Sequence, residues 1–222
     1  MYLKIKRLFD VIFSIVGLLI LLPFFIIIII LLSFTGEKEV FYLQERIGFK
    51  NSNFKIWKFA TMLKNSMNMG TGNITLENDF RVTRLGKILR KTKVNELPQL
   101  FNIFIGEISI VGPRPLVTRD FEAYPLDIQK TVYNVKPGLT GLGSIVFRDE
   151  EKIISENYDK KDPHKYYKEV IAPYKGILEI YYQKNQSFIL DLKIIFLTAW
   201  VIVFSESTLY KKWFKNLPER NF

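Results

Sequence analysis

An uncharged apolar run near the N-terminus limits the folds open to this chain more than any other feature. The 24 residues from 11 to 34 carry no charge, and residues 26–32 are all isoleucine or leucine. At about 1.5 Å per residue, a helix of this length reaches about 36 Å, which is enough to cross a bilayer. The run is too long for the apolar core of a secretory signal peptide, and no small-residue cleavage site follows it. We therefore expect a membrane-associated protein.

Two features leave open whether this helix spans the membrane or dips into one leaflet and returns. Pro23 stands in the middle of the run, where a proline removes a backbone hydrogen bond and kinks or breaks the helix. Basic residues flank the run on both sides, so charge asymmetry does not place its two ends on opposite faces of the membrane. A plain single span and a hairpin broken at Pro23 are both open on these grounds.

The net charge of +10 indicates either a negatively charged partner or an ordinary basic surface. Anionic lipid headgroups and a phosphorylated substrate both fit this charge. The sequence has no zinc-finger spacing, no RNA-recognition aromatic box and no uniformly basic helix, so we expect no nucleic-acid partner. The absence of cysteine excludes disulfides and cysteine nucleophiles, and a single histidine excludes a histidine ligand cluster. That histidine, His164, is expected on the surface.

The rest of the chain reads as a soluble domain with a short apolar segment near its end. Residues 40–44 and 54–59 alternate apolar and polar side chains, which is typical of short strands joined by a turn. Thr83 stands where the N-cap of a helix belongs. Residues 194–204 are apolar but too few to span a membrane. With tryptophan and lysine nearby, this segment suits an interfacial helix, and a core helix of the soluble domain fits as well.

Phosphate chemistry is indicated by two neighbouring segments. Residues 95–105 predict an amphipathic helix, because apolar side chains recur at helical spacing. Asn95 stands at the N-cap position and Glu96 in the first turn, near the positive end of the helix dipole. Two prolines bracket Arg114, which fixes the backbone so that the guanidinium can meet a phosphate with two hydrogen bonds. Singly, these residues fit a capped helix and a surface arginine; together they favour a phosphate site.

Ordered motifs run through almost the whole chain. They are Lys6-Arg7-x-x-Asp10, Gln44-x-Arg46-x-Gly48, Trp57-Lys58-Phe59-x-Thr61-Met62, Asp79-x-Arg81-Val82-Thr83-Arg84-Leu85-Gly86, Glu96-Leu97-Pro98-Gln99-Leu100-x-Asn102, Val111-Gly112-Pro113-Arg114-Pro115, Lys136-Pro137-Gly138-x-Thr140-Gly141 and Phe188-x-x-Asp191-Leu192-Lys193. On these motifs the chain resembles the bacterial sugar transferases of the small monotopic phosphoglycosyl transferase family.

The resemblance implies a reaction and a place in the cell. The reaction is transfer of a sugar-1-phosphate from a UDP-sugar to a polyprenyl phosphate such as undecaprenyl phosphate, with release of UMP and with Mg²⁺ as cofactor. The place is the cytoplasmic leaflet of the bacterial inner membrane, where such proteins begin lipid-linked glycan assembly. Downstream glycosyltransferases are then possible partners.

An α+β fold follows from the same resemblance. Residues 1–35 are expected to form a re-entrant membrane helix hairpin that breaks at Pro23, which resolves the open choice between span and hairpin. Residues 36–187 are expected to form a small mixed α/β cytosolic catalytic domain. Residues 188–222 are expected to form a C-terminal amphipathic, interfacial helix and a tail.

The family uses an Asp-Glu pair at the start of a helix, and these positions are Asn95 and Glu96 here. In the family the aspartate attacks the β-phosphate and forms a covalent phospho-sugar intermediate, which the lipid phosphate then displaces. The resemblance therefore makes Asn95 and Glu96 the expected catalytic residues and Mg²⁺ ligands. Basic residues expected to bind the phosphates and the nucleotide are Lys58, Arg81, Arg90, Arg114 and Arg148.

Asn95 departs from the family pattern, because a neutral amide is a poor nucleophile. Three explanations are open. Glu96 is the working carboxylate of a divergent subgroup, as a nucleophile or as a base and Mg²⁺ ligand. Alternatively, the protein is an impaired relative that acts as a membrane-bound scaffold or binding protein in a glycan pathway. Or the asparagine was introduced to stop turnover. A nucleotide-binding protein held by a single membrane span is an alternative of a different class.

Overall fold

The computed structural model describes residues 2–157, 162–204, 207–214, 217–218 and 220, and within them it shows an α+β protein. The strands are β1 (Phe41–Ile47), β2 (Asn53–Phe59), β3 (Ser109–Val111) and β4 (Gly138–Thr140). The helices are α1 (Tyr2–Phe34), α2 (Arg84–Lys91), α3 (Gln99–Ile105), α4 (Thr118–Glu122), α5 (Leu126–Thr131), α6 (Leu142–Val146), α7 (Glu150–Asn157), α8 (Pro163–Tyr166), α9 (Ala172–Lys184), α10 (Phe188–Val203) and α11 (Leu209–Trp213). The predicted fold class is thus confirmed in outline. Parts of the predicted C-terminal tail, at 205–206, 215–216, 219 and 221–222, lie outside the described residues.

The long N-terminal helix is continuous. It runs through Pro23, so the predicted break of the helix at this proline is wrong. Proline removes only one backbone donor, and the neighbouring hydrogen bonds of a long apolar helix can maintain the helical path around it. The helix is long and apolar enough to cross a membrane, and only 11% of its most apolar 18 residues are buried. It is therefore not a core helix of the domain.

The N-terminal part of α1 is tied to the domain by polar contacts. Arg7 donates to the carbonyl oxygens of Ile103 (2.6 Å) and Phe104 (2.7 Å), at the negative end of the α3 dipole. Lys6 pairs with Asp191 of α10 at 2.5 Å. These charged contacts position the first turns of α1 against both α3 and α10.

Asp10 makes the deepest of these polar connections. Its Oδ1 accepts hydrogen bonds from the backbone N–H of Ile110 (2.9 Å) and from the hydroxyl of Ser109 (3.1 Å). Asp10 is buried, with 4% of its surface exposed. Because both donors belong to β3, the N-terminal helix is joined directly to the strand that precedes Arg114.

The rest of α1 packs on the same domain through apolar contacts. Gly17 faces Leu100 of α3, with so little space that an added Cβ would lie 3.1 Å from a leucine methyl group. Phe25 packs edge-on against Phe59 of β2, with ring centroids 5.4 Å apart. Leu32, close to the C-terminal end of α1, is buried in the same cluster. Both halves of α1 therefore contact one side of one domain.

The predicted hairpin is confirmed, although β1 ends three residues later than predicted and β2 begins one residue earlier. β1 and β2 pair antiparallel from Phe41 opposite Phe59 to Ile47 opposite Asn53. Asn102 of α3 then fixes the hairpin to the next helix. Its Nδ2 donates to the Lys55 carbonyl at 2.8 Å, and its Oδ1 accepts from the Trp57 N–H at 3.0 Å.

The helix that carries the central motif begins later than predicted. Residues Val94–Glu96 form a 3₁₀ turn, and α3 starts at Gln99 directly after Pro98. Asn95 is therefore not its N-cap, and no side chain caps this end. Proline suits the start of a helix because the donor it lacks would be unpaired there. Thr83, in contrast, caps α2 as predicted by accepting from the Gly86 N–H at 3.0 Å.

The C-terminal helix α10 is a core helix with a second, exposed apolar face. One face is buried in the main core together with residues of α6 and α9. The buried side chains on this face are Leu190, Ile194, Leu197 and Val201. Among the exposed ones, Ile189 and Val203 keep 68% and 72% of their surface accessible. The core interpretation of this segment is confirmed, and its amphipathic, interfacial character stays a prediction.

Candidate active site

A cavity of about 1000 Å³ brings together most of the predicted site residues. Its walls come from the β1–β2 hairpin, the loop that follows β2, the turn at residues 94–96 and the region from α6 to α7. Six of the seven predicted residues line it, namely Lys58, Arg90, Asn95, Glu96, Arg114 and Arg148. The motifs thus converge on one site although they are scattered along the sequence.

Glu96 and Arg114 form an ion pair at the centre of this site. Arg114 Nη2 lies 2.5 Å from Glu96 Oε1, and Nη1 lies 3.4 Å from Oε2, so the guanidinium meets the carboxylate with both of its terminal nitrogens. This fork-to-fork geometry is the one that arginine also offers to a phosphate. The predicted stiff presentation of Arg114 therefore serves a carboxylate in this structure.

The electrostatic surroundings keep Glu96 ionised. Burial by itself raises the pKa of Glu96, but the positive charges of Arg114, Lys93 and Lys58 outweigh it and hold the pKa well below its usual range. The carboxylate of Glu96 in turn raises the pKa of Arg114. Glu96 is consequently an anion throughout the neutral pH range and a weak proton acceptor. This favours a role as a nucleophile or metal ligand over a role as a general base.

Asn95 lies beside Glu96 with an unsatisfied oxygen. The residue is buried, and its Oδ1 has no hydrogen-bond partner among the described residues. A buried amide oxygen without a partner is costly unless a ligand, an ion or water meets it. Since Asn95 lines the cavity, its oxygen is available to a group bound there.

Two basic residues, Lys58 and Arg46, lie close together on the hairpin. Of these, only Lys58 was predicted as a site residue from the sequence. Lys58 and Arg46 share the side-chain oxygen of Gln44, at 3.3 Å from Lys58 Nζ and 3.1 Å from Arg46 Nε. Desolvation and then the charge of Arg46 lower the pKa of Lys58 well below its ordinary value. A phosphate bound here would offset both effects, so the pair is suited to an anionic ligand.

Arg90 and Arg148 border the cavity but are partly engaged in other contacts. Arg90 forms an ion pair with Glu151 of α7. Arg148 donates from Nη2 to the Lys91 carbonyl at 3.0 Å, while its Nε has no partner among the described residues. Both side chains therefore retain donors that a nucleotide could use.

The prediction that Arg81 binds phosphate is wrong for this structure. Arg81 is fully buried and does not line the cavity. Its guanidinium pairs with Asp79 at 2.6 Å and donates to carbonyl oxygens of the loop after β2, including those of Ser66 and Met69 at 2.9 Å. The side chain thus organises that loop, which forms one wall of the cavity. In the sequence, the nearby Asp79 indicates this structural role, because it is the acidic partner of Arg81.

Glu179 is a buried carboxylate that lies next to the backbone of Arg114 and was not predicted as a site residue from the sequence. Its Oε1 accepts a long hydrogen bond of 3.4 Å from the backbone N–H of Arg114, and its Oε2 has no partner in the described part of the chain. Burial raises the pKa of Glu179 to about 7, against smaller opposing contributions from Lys175 and Arg114. The sequence feature that indicates a buried carboxylate here is the position of Glu179 between the apolar residues Leu178 and Ile180.

Glu179→Gln should change how stability depends on pH. The folded protein binds this proton more tightly than the unfolded chain, so the stabilisation is complete below the ordinary pKa of 4.5 and is lost as pH rises through about 7. We therefore expect the Tm of the variant, relative to that of the unsubstituted protein, to rise between pH 5 and pH 8. Thermal unfolding in detergent at both pH values measures this. The exposed Glu156→Gln is the control, and parallel curves for Glu179→Gln would contradict the assignment.

The donor set around Asn95 and Glu96 is compatible with Mg²⁺ but not with a metal held by protein alone. Among the described residues, no group of three or more histidine, aspartate or glutamate side chains could hold a metal ion. Mg²⁺ commonly uses one or two protein oxygens and takes its other ligands from water and substrate phosphates. The unpartnered oxygen of Asn95 and the carboxylate of Glu96 fit that pattern.

Comparisons with known proteins point in one direction. Residues 1–205 match a family model described as bacterial sugar transferase. The chain is 35% identical over 197 residues to a UDP-glucose:undecaprenyl-phosphate glucose-1-phosphate transferase of Klebsiella pneumoniae, covering 88% of this chain and 39% of that protein. It is 30% identical over 209 residues to a UDP-N-acetylgalactosamine-undecaprenyl-phosphate N-acetylgalactosaminephosphotransferase of Aeromonas hydrophila, covering 91% of this chain and 44% of that protein.

A third relative is matched over most of its length. It is the exopolysaccharide production protein ExoY of Sinorhizobium fredii, 34% identical over 218 residues, with 91% of this chain and 87% of the relative covered. The chain therefore spans less than half of the first two relatives but nearly all of the third. Each of the three matches covers 88% or more of this chain.

Proposed function

Because the chain belongs to the bacterial sugar transferase family, we propose that it transfers a sugar-1-phosphate from a UDP-sugar to undecaprenyl phosphate and releases UMP. The observation that carries this proposal is the ionised Glu96, clamped by Arg114 inside a cavity lined with cations. Two relatives are named as undecaprenyl-phosphate sugar-phosphate transferases, which supports the reaction type.

In the proposed mechanism, the diphosphate of the UDP-sugar enters among Arg114, Lys58 and Arg46. Its charge competes with Glu96 for the guanidinium fork of Arg114, and this competition frees the carboxylate. One Glu96 oxygen then forms a bond to the β-phosphorus, and the bond from that phosphorus to the bridging oxygen breaks. UMP leaves with the electron pair of that bond. The sugar phosphate is now an acyl phosphate on Glu96.

The second step regenerates the enzyme. An oxygen of the lipid phosphate attacks the same phosphorus, the bond to Glu96 breaks, and the carboxylate is restored. The product is a polyprenyl diphosphate sugar. The attacking phosphate is already ionised at neutral pH, so neither step needs Glu96 to accept a proton. The low pKa of Glu96 therefore suits this role.

We propose that Asn95 Oδ1 and Glu96 hold Mg²⁺ together with substrate oxygens. The ion would supply charge neutralisation at the phosphates, which otherwise repel an anionic nucleophile. Asn95 contributes a neutral ligand where the family has a carboxylate. In this proposal Asn95 positions the ion and Glu96 carries the covalent step.

A release assay with an Asn95→Asp variant tests the proposal. We expect the unsubstituted protein to release UMP continuously from at least one UDP-sugar when Mg²⁺ and undecaprenyl phosphate are both present, and to release at most one UMP per protein when the lipid is left out. Asn95→Asp should raise this rate by roughly tenfold or more, because a carboxylate is a stronger metal ligand and restores the family's nucleophile. Asn134→Asp, at an exposed position, is the control. If neither protein releases UMP with a panel of UDP-sugars, the proposed reaction is wrong.

We also propose that α1 lies within the cytoplasmic leaflet of the inner membrane, along one face of the domain, and does not cross the bilayer. Support comes from the contacts of its two halves: Arg7 and Asp10 at one end and Phe25 and Leu32 towards the other all meet the same domain. A helix that crossed a bilayer would carry one half beyond the reach of a domain that stays on one side.

Cysteine labelling tests this topology, since the chain contains no cysteine of its own. With Leu3→Cys and Glu37→Cys in inverted membrane vesicles, a membrane-impermeant maleimide should label both positions from the cytoplasmic side. The two single variants serve as controls for each other. Labelling of the two positions from opposite sides would show that α1 spans the membrane.

A further inference from the structure

The cavity has an uncharged region that the phosphate chemistry does not use. None of the residues that β3, β4 and α10 contribute to its described lining is charged. We call this region the apolar arm and define it by Ile110, Leu139, Ile195, Thr198, Ala199 and Ile202. The cavity thus combines a cationic end with an apolar end.

One wall of the apolar arm is the small parallel sheet. The register of β3 and β4 places Ile110 and Leu139 next to each other on the same face. Both side chains are half-buried and line the arm. Arg114 follows β3 closely in the chain, so the same sheet positions the phosphate-binding guanidinium and the apolar wall.

The other wall is one stripe of α10. The stripe residues recur at helical spacing, and from the first to the last they cover about 10 Å along the helix axis. They are Ile195, Thr198, Ala199 and Ile202. The core uses a different stripe of this helix, which includes Ile194 and Val201. Ile195 also packs against the edge of that core, whereas Ala199 and Ile202 are exposed and line the cavity, so the core accounts for only part of the apolar character of this stripe.

The apolar arm continues towards the membrane helix. Ile110 and Ile195 also border a small gap between α1 and the beginning of α10. Its other apolar walls are Phe9, Val111, Phe188 and Leu192, and the charged residues Lys6, Asp10 and Asp191 line it as well. The contacts from α1 to β3 and α10 hold the two sides of this gap together. The apolar side chains of the arm thus continue to the apolar side of this gap, next to the helix that we place in the membrane.

We propose that the apolar arm binds the first isoprene units of the polyprenyl phosphate acceptor, with its phosphate beside Arg114 and the rest of its chain leaving between α1 and α10. This rests on the proposed function. A cavity with a cationic and an apolar end is complementary to an amphiphile with an anionic head and a hydrocarbon tail. A nucleotide sugar is polar throughout and would leave its hydroxyl groups unsatisfied in the arm.

Filling the arm tests this site kinetically. Ala199→Trp places a large ring in the arm, and Val203→Trp places the same ring at a position that is 72% exposed and does not line the cavity. We expect Ala199→Trp to raise the KM for undecaprenyl phosphate roughly tenfold, as loss of about two buried methylene groups would. The KM for the UDP-sugar should not change, and Val203→Trp should change neither. An unchanged KM for the lipid, or an equal rise in both values, would overturn the proposal.

Photo-cross-linking tests the same site without any turnover. The probe is a polyprenyl phosphate with a diazirine in its first isoprene units, added to the protein in nanodiscs. We expect labelling of α10 that undecaprenyl phosphate suppresses, that Ala199→Trp removes and that Val203→Trp retains. Labelling of α10 that persists in Ala199→Trp, or labelling of α1 alone, would contradict the proposed lipid site. If this pattern appears but no UMP is released, the transfer reaction fails while the lipid site stands.

Discussion

Glu96→Gln should lower the rate of UMP release by on the order of 10⁴-fold, the scale expected when a covalent nucleophile is removed. Glutamine keeps the size of the side chain and a hydrogen bond to Arg114, but its neutral amide cannot form the acyl phosphate. UDP-sugar binding should weaken little, because the cationic wall of the cavity is retained. The loss should therefore appear in kcat with only a small change in KM.

Intermediate trapping sharpens this prediction. With a UDP-sugar labelled in the sugar and without lipid acceptor, the unsubstituted protein should retain label after denaturation, and Glu96→Gln should not. Glu156→Gln, which changes a carboxylate that is 58% exposed on α7, should behave as the unsubstituted protein does. Full activity of Glu96→Gln would eliminate Glu96 as nucleophile and direct attention to direct displacement by the lipid phosphate.

Arg114→Gln should reduce kcat by on the order of 10³-fold, because it removes a preorganised donor pair from the charge that develops on the transferred phosphate. It should also change the pH dependence. Arg114 is the largest of the charges that lower the pKa of Glu96, so its loss should raise that pKa and protonate more of the carboxylate in mild acid. The activity of the variant should then fall below about pH 6, while that of the unsubstituted protein should not.

Two further variants separate charge from geometry. Arg114→Lys keeps the positive charge but loses the fork, so it should preserve the pH profile and recover only part of the rate. Arg84→Gln removes an exposed arginine that does not line the cavity and should leave both rate and profile unchanged. An Arg114→Gln variant with an unshifted pH profile would show that Arg114 does not control the ionisation of Glu96.

Sequence patterns selected residues that share one cavity where these residues belong to contiguous motifs. Glu96, Asn95 and Arg114 stand in two adjacent segments, and six of the seven predicted residues line one cavity. Local signals also located the hairpin and the cap at Thr83, because alternation and capping depend on residues a few positions apart.

Sequence patterns failed where a role depends on distant partners. Arg46 and Lys58 meet through Gln44 across the hairpin, and Glu179 approaches Arg114 from a helix 65 residues away in the sequence. Arg81 could not be distinguished in the sequence from an exposed arginine, because its burial depends on a loop that folds around its side chain. The expected break at Pro23 failed for a different reason, since a local rule was applied to a helix that packing supports along both halves.

The packing of α1 has a consequence for how this protein can be handled and engineered. A membrane helix that only tethers a domain can be exchanged for any other of similar length. Here the helix supplies Asp10 to β3 and Lys6 to α10, and these two elements form the walls of the apolar arm. If α1 attaches the domain to a bilayer as we propose, an unrelated hydrophobic helix would restore that attachment but not these contacts to the walls of the cavity. The N-terminal helix is thus a structural component of the site and not a replaceable tether.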